Sequence, residues 1–342
     1  MPAKSIYLDH AATTPLLPAA REAMLAGFAI WANPSSPHAA GRAARAALEE
    51  ARARVKTALG WSGEVVFTGG ASEALALAIT GCVQPLVGVS AAEHEAVLRH
   101  AASAAKIAVD ALGLVDPAEC ALAGLVAVQH VNNETGVIQP LAAVAEAVHG
   151  AGGLLLADCA QSAGKLALPD ADLIALAAHK CGGPVGVGAL LIRDWAMLRP
   201  GGGQERGYRG GTENLPGVLA LAAALEAGAD WLDQAAALRD LLDRAITAAG
   251  GESVCEAAAR VPAIAAYRMP GKSANAQLIR FDGMGFAVSA GSACSSGSLR
   301  VSHVLGAMHF PHADEVIRVS LGRETTRAEI DSFIAAWHAV AG

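Results

Sequence analysis

Aromatic residues are scarce in this 342-residue chain, at 4%, although apolar residues make up 53%. A core built mainly from Ala, Leu, Val and Ile is therefore expected. There is no basic excess: the formal net charge is −7. That gives no electrostatic footprint for nucleic acid and no basic run for an anionic membrane. No apolar run approaches the roughly 20 residues of a membrane-spanning helix; "GLLLAD" and "DLIALAA" are far shorter. The start, "MPAKSIYLDHAATTP", lacks the apolar stretch of a secretory signal. Six cysteines (82, 120, 159, 181, 255, 294) form no C-x-x-C pair and no metal-ligand spacing with histidine. They read as reduced thiols in a soluble cytoplasmic protein.

What the chain does have is a series of short apolar runs separated by amphipathic, Ala-rich stretches. The runs are "EVVFT" (64–68), "LVGVS" (86–90), "GLVAVQH" (124–130), "GLLLAD" (153–158), "DLIALAA" (172–178) and "GALLIR" (188–193). Helices are expected between them at 71–82, 93–105 and 141–149. Runs without polar alternation, separated by helices, indicate an α/β fold with a mostly parallel sheet covered on both faces. Ahead of the sheet, residues 38–60 read as a long helix with Glu–Arg pairs four apart and Gly60 as its C-cap. Its charges read as a solvated face. After the sheet, "PGGGQERGYRGGTEN" (200–214) is too rich in Gly and Arg for a regular element. A long helix over about 215–249 is expected to link two domains. The remainder reads as a smaller α/β domain, whose last helix opens at Thr326 with capping-box spacing to Glu329. The expected division is 16–235 for the large domain, with 1–15 and 236–342 forming the small one.

Ligands of such sheets bind at the carboxyl ends of the strands. There the sequence places Asp158 and then Gln161, the pair His179-Lys180, and "GGASEA", where a helix starts around Ser72. An acid, a lysine and a small-residue helix start at one sheet edge suggest pyridoxal phosphate. The lysine forms the Schiff base, the acid keeps the pyridinium nitrogen protonated, and the helix N-terminus receives the phosphate. Each piece has a plainer reading: Asp158 as an N-cap, His94 as an ordinary first-turn residue, "GGASEA" as a mere turn. A solvated lysine is not expected between an apolar run and a glycine-rich turn, and the chain has only six lysines. A further oddity is "AVSAGSACSSGSL" (287–299), which sets Cys294 among small residues that offer almost nothing to pack against.

The whole chain resembles the cysteine desulfurases, pyridoxal-phosphate enzymes of the class V aminotransferase group with the fold-type I architecture. Ten ordered motifs carry the resemblance: "YLDHAATTP", "NPSSPHAAGR", "VFTGGASEA", "EHEAVL", "HVNNETGVIQP", "ADCAQSAGK", "HKCGGPVGVGAL", "GGGQERGYRGGTEN", "GSACSSGS" and "IRVSLGRETT". The resemblance implies that Lys180 is the Schiff-base lysine and the base for the α-proton. It implies that His94 stacks on the coenzyme ring and acts in catalysis by shuttling protons, that Asp158 pairs with the ring nitrogen, and that Gln161 bonds its hydroxyl. Ala71, Ser72 and His179 would hold the phosphate, with Thr212 arriving from the other subunit of a homodimer. Asn133 and Arg323 would hold the carboxylate of L-cysteine. Cys294 would be the nucleophile that takes sulfur as a persulfide, with Gly291 and Gly297 as hinges and small neighbours leaving the thiol accessible. The product sulfur would serve iron–sulfur cluster or thiocofactor assembly through a sulfur-acceptor or scaffold protein. Two other readings stand beside this one: a lyase for selenocysteine or cysteine sulfinate, and a degenerate binding scaffold. The sequence departs from its relatives at Ala177, where they usually carry a hydroxyl toward the phosphate, and at Val185, where many have lysine. Cys159 and Cys181 read as small packing residues.

Overall fold

The computed structural model describes residues 5–291 and 302–342; Cys294 and Gly297 lie outside them. Seven strands form the main sheet, in the spatial order Glu64–Thr68, Gly188–Ile192, Leu173–Ala177, Leu154–Asp158, Leu125–Ala127, Leu86–Ser90, Ala105–Ile107. All neighbours run parallel except Gly188–Ile192, which is antiparallel to both strands beside it. The central strands are buried throughout, and successive residues serve opposite faces, as the pleat requires. Leu155, Ala157, Ile174 and Leu176 pack into one hydrophobic cluster, whereas Leu156, Leu173 and Ala175 pack into another. This is the two-faced burial that unalternating apolar runs call for.

A second assembly contains an antiparallel sheet, Val316–Ser320, Ile264–Arg268 and Glu252–Ser253, and a parallel pair, Ile6–Tyr7 with Phe286–Ala287. Its core departs from the aliphatic one expected. Tyr267, Phe281, Phe286, Phe333 and Trp337 meet there edge-on, tilted or stacked, with ring centroids 5.0–6.4 Å apart. A small assembly has few positions to fill, and each ring buries more apolar area than an aliphatic side chain. The closing helix, Arg327–Ala341, carries the capping box: Thr326 N donates to Glu329 Oε2 and Glu329 N donates to Thr326 Oγ1.

Three expectations are corrected. The stretch 93–105 is not one helix; only Glu95–Leu98 is helical, and Ala105–Ile107 joins the sheet beside Leu86–Ser90. Sheet pairing overrides the helix propensity of its alanines. The long helix at 215–249 is two, Leu215–Glu226 and Leu232–Ala248. Gly228 lies between them at φ 69°, a left-handed conformation that breaks the rod. Nor are the charges of helix Ala39–Leu59 simply a solvated face. Arg45 and Glu49 do form the exposed pair, but Arg52 is buried. Its guanidinium donates to Glu205 at 2.7 Å and to the Val65 carbonyl at 2.6 Å, and Phe67 N donates to the same carboxylate at 2.9 Å. Removing either partner would leave a buried charge unpaired, at a cost of about 3–5 kcal/mol. This pair and Arg206–Glu64 pin the glycine-rich segment 200–214 to the edge of the sheet, and Arg209–Glu73 pins it to the helix Ala71–Gly81.

Burial also sets a response to acid. His10, His130 and His179 are each held down to about 4, chiefly by burial. Such a ring stays neutral in the fold but takes a proton in the unfolded chain below about 6.5. The unfolded state therefore binds more protons between about 6.5 and 4, and these groups subtract stability as pH falls through that window. His130 is the cleanest case, since its ring is shifted by burial alone and Nδ1 meets Ser162 Oγ at 3.0 Å. In His130→Asn, melting temperatures recorded across that window should fall less on acidification than in the wild type. An unchanged pH slope would refute the assignment.

Candidate active site

The carboxyl ends of the parallel strands converge on a cavity of about 630 Å³. Strand Glu64–Thr68 leads into helix Ala71–Gly81 through Gly70, whose φ of 148° suits glycine and whose missing side chain leaves the backbone open. No side chain caps this helix, so its first N–H groups, which have no intrahelical acceptor, point at whatever binds there. Ala71 and Ser72 line the cavity. Glu73, one position on, is bound by Gly69 N and by Arg209 at 2.8 Å. That cation offsets a carboxylate that would otherwise repel an anion at the helix start. His179 lies opposite on the turn after Leu173–Ala177, with Nδ1 3.3 Å from Thr13 Oγ1.

Asp158 ends its strand buried in the same wall. Its Oδ1 accepts from Ala160 N at 2.9 Å, so the plainer reading as a local backbone acceptor is realised by that oxygen. Burial raises the carboxyl above its usual range, while the Ala160 N–H, His94 and Lys180 pull it back. A carboxylate in this position calls for a cationic partner from the cavity. Gln161 donates through Nε2 to the Ala11 carbonyl at 2.9 Å, while its buried Oε1 has no hydrogen-bond partner among the described residues. His94 caps the short helix Glu95–Leu98 by accepting from Ala96 N at 3.1 Å through Nδ1. A neutral ring in this pose carries its proton on Nε2. Lys180 Nζ donates to the carbonyls of Ala11 and Ala12.

Eight expected site residues therefore share one cavity: Ala71, Ser72, His94, Asn133, Asp158, Gln161, His179 and Lys180. Their chemistry fits pyridoxal phosphate. The helix start and a histidine suit its phosphate, the buried carboxylate its ring nitrogen, the orphan Gln161 oxygen its hydroxyl, and Lys180 its aldehyde. Thr212 is elsewhere: it is exposed and lines a separate cavity of about 230 Å³ with Trp31, Asn33 and Glu213. Arg323 also lies outside the main cavity. It donates to Asp230 at 2.7 Å and to the carbonyls of Ala227 and Gly228, at the break between the two helices.

An aminotransferase class-V family model matches residues 6–333. The chain is 40% identical to a cysteine desulfurase of Bradyrhizobium diazoefficiens, over 97% of this chain and 93% of that protein. Identity is 37% to a cysteine desulfurase of Gluconacetobacter diazotrophicus, over 96% and 91%. The chain belongs to the cysteine desulfurase family. A solved NifS-like protein from Rickettsia africae has the same fold, with a TM-score of 0.90 at 29% identity over 98% of this chain and 99% of that one.

Within this family's site the sequence reading missed three residues. Arg209 acts on the helix start through Glu73. Glu93, directly before His94, is fully buried, with one oxygen accepting from Gln129 N. Burial and then the charge of Asp158 raise it well above the usual carboxylate range, while the Gln129 N–H pulls it back. Arg318 joins Asp9 at 2.7 Å to the Asn133 carbonyl at 2.9 Å. The one available signal was adjacency, "EH" for Glu93 and "RG" before Thr212.

Ala177 is buried and lines the cavity at the end of its strand. A serine there could donate to a bound phosphate, and a hydrogen bond to a charged acceptor contributes about 1.5–3 kcal/mol in good geometry. Ala177→Ser should therefore lose coenzyme more slowly than the wild type on dialysis. Equal or faster loss would mean that the pocket is shaped differently here.

Proposed function

We propose that this protein is a pyridoxal-phosphate-dependent cysteine desulfurase that converts L-cysteine to alanine and passes the sulfur on from Cys294. The observation that carries the reading is the convergence of Lys180, Asp158, Gln161 and His94 on one cavity beside an uncapped helix start. Pyridoxal phosphate, when bound, supplies an electron sink that acidifies the substrate α-hydrogen. Lys180 would hold the coenzyme and, as the free amine, would take the α-proton at Nζ. Asp158 would favour a positive charge on the ring nitrogen, and His94, with its proton on Nε2, would face the ring. Asn133 and Arg323 hold the substrate carboxylate. For Arg323 this means leaving Asp230 and the carbonyls of Ala227 and Gly228. The Cys294 thiolate then attacks the substrate sulfur: an S–S bond forms, the carbon–sulfur bond breaks, and its electron pair stays with the carbon that becomes the alanine methyl.

A homodimer in which Thr212 of the partner subunit reaches the phosphate is supported by the placement of Thr212 outside its own cavity, in an exposed segment near Trp31. A two-domain division at 16–235, with 1–15 and 236–342 together, is supported by the second core. That core joins Leu8 to residues from Ala235 through Val340. No described helix is long and apolar enough to cross a membrane, and a cytoplasmic enzyme serving an acceptor protein of iron–sulfur or thiocofactor assembly is the reading we favour. The deciding experiment incubates the purified protein with L-cysteine and quantifies alanine and sulfide with and without a thiol reductant. Equimolar alanine and sulfide with reductant are expected, with sulfur retained on the protein without it. Absence of alanine from the coenzyme-loaded protein would overturn the proposal.

A further inference from the structure

Residues 9–14 form a strap that runs from the small sheet to the cavity. At one end Ala11 N donates to the buried Ser320 Oγ at 2.9 Å. At the other, Thr14 N donates to the His179 carbonyl at 2.8 Å, and Thr14 Oγ1 to the Lys180 carbonyl at 3.2 Å. Tyr7 braces the strap from outside, its hydroxyl donating to the carbonyls of Asp9 and Thr13, and Arg318 holds the Asp9 carboxylate. Between these anchors the carbonyls of Ala11 and Ala12 both accept from Lys180 Nζ, the second at 2.9 Å. The Ala11 carbonyl also accepts from Gln161 Nε2. One backbone oxygen thus touches two side chains that face the coenzyme.

We propose that the Ala11 and Ala12 carbonyls are the docking point for the Lys180 ammonium after the lysine has taken the substrate α-proton, which makes the strap a positioning element of the reaction. This rests on the reading of Lys180 as the base. In that step the lone pair of the neutral amine forms a new N–H bond, the substrate C–H bond breaks, and its electron pair remains with the coenzyme-bound substrate. The lysine becomes an ammonium, a group with three donors and no acceptor. Hydrogen bonds from a charged donor are about twice as strong as those from a neutral one. The two carbonyls therefore favour the lysine after it has taken the proton over the lysine before. Because the strap is fixed at both ends, the two dipoles need no reorganisation when the charge arises.

Backbone ester substitution tests this in the full chain. The α-hydroxy-acid counterpart of residue 12 turns the Ala11 carbonyl into a weaker ester acceptor, and that of residue 13 does the same to the Ala12 carbonyl. The counterpart of residue 14 is the control: it weakens the Thr13 carbonyl, which faces Tyr7. All three lose one amide N–H, from Ala12 or Thr13 to Asp9 or from Thr14 to His179, so loosening of the strap is common to them. The first readout, on coenzyme-free protein, is competitive labelling of Lys180 by an amine reagent at fixed pH, relative to the exposed Lys106. The second, on the loaded enzyme, is exchange of the L-alanine α-hydrogen with deuterium from solvent. The esters at 12 and 13 should raise relative labelling of Lys180 by about three- to tenfold, the loss of one modest hydrogen bond, and slow exchange by a similar factor. The ester at 14, which loses an anchor but neither acceptor, should change both by clearly less. Unchanged labelling, unchanged exchange, or equal effects in all three variants would overturn the proposal. If instead Lys180→Ala exchanges the α-hydrogen at the wild-type rate, it is the assignment of Lys180 as base that fails.

Discussion

A Lys180→Ala protein is expected to turn over no measurable L-cysteine, and borohydride is expected to fix the coenzyme of the wild-type protein to Lys180 alone. Both expectations follow from position. Lys180 stands on the turn after Leu173–Ala177, and its side chain enters a cavity that it shares with Asp158, Gln161 and the helix start. Loss of a positioned base by itself lowers a rate by roughly 10²–10⁴-fold, and the covalent hold on the coenzyme is lost with it. The fall should therefore exceed about 10⁴-fold. Lys165 is the competing candidate within the same region. Burial, and to a lesser degree the charge of Lys180, bring it down to about 8, and its ammonium lies 3.1 Å from the Gln161 carbonyl. It does not line the cavity. Peptide mass analysis after reduction separates the two; added mass on the Lys165 peptide would reverse the assignment. A colourless protein that stays inactive after addition of pyridoxal phosphate would return the degenerate-scaffold reading.

The second large effect is expected at Cys294. Replacement by alanine should leave coenzyme binding and the spectral response to L-cysteine intact, because the function we propose gives proton removal to Lys180. Sulfur transfer should stop: neither persulfide nor catalytic amounts of alanine should form. Ser292, Ser295 and Ser296 cannot replace the thiol, since the sequence gives them no evident base and a hydroxyl is a far weaker nucleophile than a thiolate. In wild-type protein treated with L-cysteine and no reductant, the peptide containing Cys294 should gain one sulfur. Cys159 and Cys181 should tolerate alanine or serine with activity retained. Burial raises the Cys159 thiol far above its ordinary value and that of Cys181 to about 11, so neither supplies thiolate at neutral pH. Release of alanine by Cys294→Ala at the wild-type rate would replace the persulfide route with direct elimination.

The parts of this site that could be read in advance lie where a strand stops. Asp158 and His179–Lys180 follow apolar runs whose ends are plain in the sequence, and a parallel sheet brings those ends together. The capping box at Thr326 was legible for the same reason, since its partners are three residues apart. The parts that escaped depend on distant chain. Arg52 belongs to an ordinary charged helix pattern until Glu205, 153 residues away, takes its guanidinium into the protein. The helix expected at 93–105 is displaced by a strand neighbour that no local pattern names. Gly228 is a local signal for the break at 226–232, yet the helix-forming, Ala- and Leu-rich composition on both sides outweighs it. Thr212 and Arg323 were placed by resemblance, and in the isolated chain neither enters the cavity.

The bond from Ala11 to Ser320 spans 309 residues, and it dates the completion of the site. During synthesis the strap leaves the ribosome first and its anchor almost last. At about 5–20 residues per second the delay is about 15–60 s. The seven-stranded sheet, whose strands all lie between Glu64 and Ile192, can be assembled in that interval. The strap cannot be held at both ends until the strand Val316–Ser320 exists. A nascent chain halted before that strand would present the lysine on a formed sheet with its tether undone. Completion of the strap is therefore an event that follows translation, and removal of only the last thirty or so residues would act on the opposite end of the chain.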